Sequence, residues 1–155
     1  MPNAPCITQI NISDGGVPKL PIPKAQITPA GLIGDRQRNL KYHGGPDRAI
    51  CLWSADIIQT LQNEGHPIEP GSAGENITVA GLLWNQIGPD TQLQLGDTVC
   101  LLITDYAPPC RHIGKFFSDR RYSRINQAHH PGTSRLYARV VSPGIISVGN
   151  SVQIL

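Results

Sequence analysis

Apolar and polar positions alternate in several short stretches of the chain. From Ile7 to Ser13, Thr8, Ile10 and Ile12 fall on one face and Gln9 and Asn11 on the other, the two-residue period of a half-buried strand. Asp14-Gly15-Gly16 ends it. Pro18, Pro21 and Pro23 lie close together between Val17 and Thr28. Their missing amide donors predict an extended edge or surface loop, not a central strand. Arg48 to Trp53 is an apolar run of strand length, and Ser54 behind it is a candidate N-cap with Asp56 in the first turn. A helix from about Ala55 to Glu64 follows, with Ile57, Ile58 and Leu61 on one face and Gly65 and Pro67 as stop signals. Asn76–Ala80, Gln92–Leu95, Thr98–Thr104, Leu136–Ser142 and Ser151–Leu155 read as further strands. The charge-rich stretch from Arg111 to Asn126, with Phe116 and Phe117, predicts one or two short helices. About seven strands, a mid-chain helix and short late helices predict a mostly β fold closed into a β-barrel, in preference to a βαβ sheet.

Composition narrows this picture. A length of 155 residues predicts one domain, 1–155, able to bury a core without disulfides or metals. Only 15% of residues are charged, and 16 glycines and 14 prolines make the chain turn-rich, unlike a helical bundle. The formal net charge of +2 gives no strong field for nucleic acid or a membrane surface. The two Trp, four Tyr and two Phe do not interleave with basic residues as a base-stacking platform would, so nucleic acid is not an expected partner. The N-terminus shows no secretory pattern and no run is long and apolar enough to span a bilayer, which predicts a cytoplasmic protein without a membrane partner. Cys6, Cys51, Cys100 and Cys110 form no CxxC pair and are expected to be reduced thiols.

Two segments carry candidate chemistry. Cys110 follows Pro108-Pro109 and precedes Arg111-His112, so its backbone is restricted and cations stand beside it in sequence. Nearby positive charge enriches the thiolate, which is both nucleophile and metal ligand; an inert loop cysteine is the alternative. Cys51 and Cys100 sit in apolar runs and read as small core residues. His43 stands before Gly44-Gly45-Pro46 and could donate a proton, or simply be a hydrogen-bonded structural histidine. Arg36, Arg38, Lys41 and Arg48 surround it, and Arg111, Lys115, Arg120, Arg121 and Arg124 flank Cys110. Guanidinium forks suit phosphate, while an ordinary solvated basic face is the plainer reading. His129-His130 reads as a polar loop more readily than a metal site.

The ordered motifs Ser13-Asp14-Gly15-Gly16-Val17-Pro18-Lys19, Gly34-Asp35-Arg36-Gln37, His43 through Ala49, Gly74 through Val79, Leu95-Gly96-Asp97, Pro109-Cys110 and Leu136 through Val140 carry a family likeness. From about Ile10 to Leu155 the chain resembles the MOSC family, the domain also found at the C-terminus of molybdenum cofactor sulfurases and in amidoxime-reducing proteins. The resemblance implies a pyruvate-kinase-barrel-like β-barrel and a pocket for the molybdenum cofactor, a molybdopterin, whose supply is expected to limit occupancy in overproduced protein. It implies a working trio of Lys19, His43 and Cys110, with Cys110 either ligating molybdenum or carrying persulfide sulfur. The leading expectation is reduction of N-hydroxylated small molecules, such as hydroxylamino bases or amidoximes. Cys110 would hold the metal, His43 would deliver a proton, and Lys19, Arg36 and Arg48 would meet the pterin phosphate. Because the chain lacks the larger reductases' flavin, haem and ferredoxin segments, electrons would come from a separate electron-donor protein. The alternatives are a sulfur carrier taking a persulfide on Cys110 from a sulfur donor, and a non-catalytic anion or cofactor-carrier module.

Overall fold

The computed structural model describes residues 4–36 and 45–155. Eleven strands, one α-helix and several 3-10 turns are assigned among them. In chain order the strands are β1 (Cys6–Ile12), β2 (Leu20–Ile22), β3 (Lys24–Thr28), β4 (Gly31–Leu32), β5 (Ile50–Ser54), β6 (Ile77–Ala80), β7 (Gln92–Leu95), β8 (Val99–Ala107), β9 (Arg135–Ser142), β10 (Gly144–Ser147) and β11 (Val152–Ile154). The helix α1 spans Ala55–Asn63. Eight strands form one sheet in the order β11-β7-β8-β9-β5-β6-β1-β2, and β10-β3-β4 form a second. Most neighbours are antiparallel; β5 and β6 are parallel, joined through α1, which is the crossover that a parallel pair requires.

The expected closed barrel is not formed, since the larger sheet ends at β11 and at β2. The reason lies in β1, whose free edge is divided between two partners. Its Ile10–Ile12 half pairs with β2. Its other end meets the segment before β11 through a single bridge, Cys6 to Ser151, and through main-chain bonds from Ile7 N to Asn150 O (2.9 Å) and Gly149 N to Ile7 O (2.8 Å). The edges touch without making a continuous ladder.

Alternation along β1 also slips. The strand carries a bulge between Ile7 and Gln9 against β6, so Ile7 and Ile10 are both buried while Thr8 is exposed. The proline stretch does run extended, with β2 ending the large sheet as an edge, but β3 corrects the expectation: it is the central strand of the small sheet, paired with β10 and β4. Lys24–Thr28 holds no proline, so all its amides are free to serve both ladders. Helix α1 starts where Ser54 Oγ accepts from the amides of Asp56 and Ile57, both at 3.1 Å, and it buries Ile58 and Leu61. Trp53, Leu52, Ile77, Leu101 and Ile103 lie at the centre of the main apolar core. The late helices are 3-10 turns, Arg111–Phe116 and Tyr122–Ile125. Among the described residues, no helix is long and apolar enough to cross a membrane.

Candidate functional site

Strand β8 ends at Ala107 because Pro108 and Pro109 have no amide hydrogen to extend the ladder. Cys110 follows in an extended conformation (φ −133°, ψ 170°) at the head of the Arg111–Phe116 turn, with its residue half-buried and its thiol free. Opposite Ala107 in the register stands Arg135, the first residue of β9. The start of β9 is pinned by two indoles: Trp53 Nε1 donates to Thr133 O at 2.9 Å and Trp84 Nε1 to Ser134 O at 2.7 Å. Arg135 is 6% exposed. Its Nη1 donates to Ala73 O at 2.6 Å and its Nη2 to Pro108 O at 3.0 Å, while its buried Nε has no acceptor among the described residues.

Two residues along β9 on the same face, Tyr137 pairs with Cys51 of β5, and with Ala107 they form a small apolar cluster. Burial pushes the Tyr137 phenol up to about 12, with Cys51 raising it further and Arg135 and Arg48 opposing; Cys110 adds a smaller upward push. The Arg48 guanidinium lies 5.4 Å from the Tyr137 ring centre. Burial likewise pushes the Cys51 thiol up to about 11, which makes Cys51 an inert core thiol in spite of its proximity to the site.

The electrostatic neighbours of Cys51 extend to Arg135, Glu75, Lys19 and Asp35, so a second polar group adjoins the first. Lys19 is 5% exposed, and its Nζ donates to both carboxylate oxygens of Asp35 at 2.7 Å. Asp35 also accepts from Asn76 Nδ2 at 2.9 Å and from the Ser13 amide at 3.0 Å. Asn76 in turn accepts from the Cys51 amide through Oδ1 at 3.0 Å. Glu75 is wholly buried: its Oε2 accepts from Gly71 N and Thr78 Oγ1, and its Oε1 has no partner among the described residues. Burial raises its carboxyl to about 7, against the pull of the Gly71 amide and of Arg135. The loop fits tightly here, since a Cβ on Gly71 (φ +89°) would stand 2.3 Å from Lys19 O.

Of the residues expected from the sequence, Arg48 therefore lies over Tyr137, Cys110 is near enough to act on that phenol electrostatically, and Lys19 joins the adjoining network with its charge balanced by Asp35. Arg36 sits beside that network through its neighbour Asp35, but its own side chain is 75% exposed, 3.9 Å from Asp14. His43, with Arg38, Lys41 and Gly44, lies outside the described residues. The second basic group disperses: Arg124 makes a two-point contact with Glu64 at 3.0 and 2.7 Å, and Lys115 lies over Phe116. A cleft of about 310 Å³ is walled by Lys19, Pro18, Pro21, Pro67, Pro70 and Phe116, and Cys110 is not on it. Arg135, Tyr137, Asp35 and Glu75 had not been picked out as site residues. Glu75 and Asp35 stand within motifs of the family likeness, and Arg135 carries no sequence signal beyond its place before an alternating strand.

The model of the MOSC domain family matches residues 39–153. The chain belongs to the MOSC domain family. It is 28% identical over 123 residues to YflK of Bacillus subtilis (strain 168), covering 79% of this chain and 54% of that protein. Protein YiiM of Escherichia coli (strain K12) is 23% identical over 137 residues, covering 83% and 58%. This MOSC chain thus spans little more than half the length of those two relatives. Among solved structures, YiiM from Geobacillus stearothermophilus superposes with a TM-score of 0.74 at 20% identity, covering 97% of this chain and 75% of that one. The YUAD protein from Bacillus subtilis gives 0.77 at 16%, covering 97% and 95%. At these identities the structures establish a shared fold.

The MOSC family is named for the molybdenum cofactor sulfurase C-terminal domain, and the residues around Cys110 fit such a group. The thiol is a soft donor of the kind that suits a metal bound also by sulfur. The buried Arg135 Nε is a charged donor without an acceptor among the described residues, a state that costs about 1–3 kcal/mol or more if nothing answers it. An anionic pterin group brings acceptors of that kind.

Proposed function

We propose that this MOSC protein is a molybdenum-cofactor-binding oxidoreductase that reduces N-hydroxylated compounds, hydroxylamino bases or amidoximes among them, with Cys110 as the metal ligand. The observation that carries the reading is a half-buried thiol on a proline-stiffened turn, tied to a buried arginine that keeps one donor unanswered. Cys110 would hold the metal, and Arg135 and Arg48 would face the anionic parts of the cofactor. Lys19 serves as a donor whose charge Asp35 balances. His43, from outside the described residues, is the proposed proton donor. The bound cofactor would supply the two-electron exchange. Cleaving the N–O bond of a hydroxylamine takes two electrons and two protons and yields an amine and water. We assign the electrons to a separate donor protein and the setting to the cytoplasm, where thiols stay reduced.

The test is turnover of a hydroxylamino base by protein made in a cofactor-producing host, with a reduced viologen dye as electron source. Cys110→Ser is expected to lose about 100-fold or more in rate. Retention of wild-type turnover by that variant overturns the assignment.

The free Cys110 thiol also supports a second reading, sulfur carriage by a Cys110 persulfide. Incubation with an active sulfur donor would then add about 32 Da to the Cys110 peptide, and an unmodified peptide would exclude it.

A further inference from the structure

We infer that Arg135 is the positioning residue of the Cys110 thiol. Its guanidinium fastens the carbonyl of Pro108, two residues before the thiol, to the carbonyl of Ala73 in the loop that holds Glu75. A single planar fork therefore couples the end of β8 to the 71–75 loop, in the one place where Pro108 and Pro109 rule out support from main-chain amides. The arginine itself has little freedom to move. It is buried, and the carbonyls of Thr133 and Ser134 just before it are each held by a tryptophan indole of the core. Lysine could supply the charge but not the two-point geometry, so the requirement is for a guanidinium and not merely for a cation. The inference rests on Cys110 being the reactive group. It does not depend on whether that group ligates a metal or carries sulfur.

The test uses the four free cysteines as reporters in the full chain. Each is alkylated with iodoacetamide, a neutral reagent, and its rate is read by mass spectrometry of the separate peptides. Cys6 and Cys100 report the general surface, and buried Cys51 reports opening of the core beside Arg135. In Arg135→Lys the charge stays but the two-point hold that joins Pro108 O to Ala73 O is lost. Cys110 should then react about fivefold faster or more, with Cys6 and Cys100 unchanged and Cys51 still protected. In Arg135→Ala the same change should appear, and millimolar methylguanidine should bring the Cys110 rate back to within about twofold of wild type by refilling the site. A Cys110 rate within about twofold of wild type in Arg135→Lys overturns the inference. So does a gain shared by Cys51, which would make Arg135 a general support of the adjoining core, and so does failure of methylguanidine to act on a folded Arg135→Ala chain. Should Arg135→Ala not fold, Arg135→Lys decides alone. No molybdenum or sulfur donor enters the assay, so its failure is separate from failure of the reductase reading.

Discussion

Lys19 keeps an ammonium 5% exposed, and such a charge stays in a folded interior only when another charge answers it. Asp35 does so with both oxygens. Asp35→Asn removes that answer while leaving Lys19 in place, and is expected to cost roughly 3–5 kcal/mol in urea unfolding. A loss below about 1 kcal/mol would mean that Lys19 finds water or another partner. Glu75 makes a prediction with the opposite pH sense to most carboxylates. Its folded value is about 7 against an ordinary 4.5, so between these values the folded chain holds a proton that the unfolded chain releases. Stability therefore falls as pH rises from about 4.5 to about 7, by up to about 3 kcal/mol from this one group. Glu75→Gln should match wild type near the acid end and exceed it at pH 8, as read from unfolding midpoints. Parallel pH profiles for the two proteins would contradict this account.

At the scale of elements, α1 depends on Ser54, whose hydroxyl answers two amides at its first turn. Ser54→Ala is expected to lower stability by about 1 kcal/mol in thermal or urea unfolding, and no loss would show that packing of Ile58 and Leu61 alone sets the helix start. This helix was legible in the sequence almost to the residue because its cap, its apolar face and its Gly65-Pro67 stop are all local. β1 was legible as a strand but not in its facing, since its bulge is set by pairing with β6, some 70 residues away. β4 and β10 were missed for the same reason: both are short, and both exist through pairing with β3. Cys110 could be picked out because two prolines precede it. Arg135 could not, because no local pattern says which carbonyls a buried guanidinium will reach.

The whole molecule brings four distant stretches to one place: the end of β8, the start of β9, the 71–76 loop and the Lys19–Asp35 pair. A mostly β fold with one mid-chain helix was readable, but about seven strands were expected and eleven are assigned among the described residues. Closure was not, because it turns on β1 sharing its free edge between β2 and the segment before β11. The central claim of the proposed function is that the Cys110 thiol ligates molybdenum. The direct measurement is elemental analysis for molybdenum, with pterin fluorescence, on wild type and Cys110→Ser made side by side in a cofactor-producing host. The account predicts molybdenum approaching one equivalent per chain in wild type and its loss in the variant. Equal molybdenum in both, or none in either beside a loaded control protein, would contradict it.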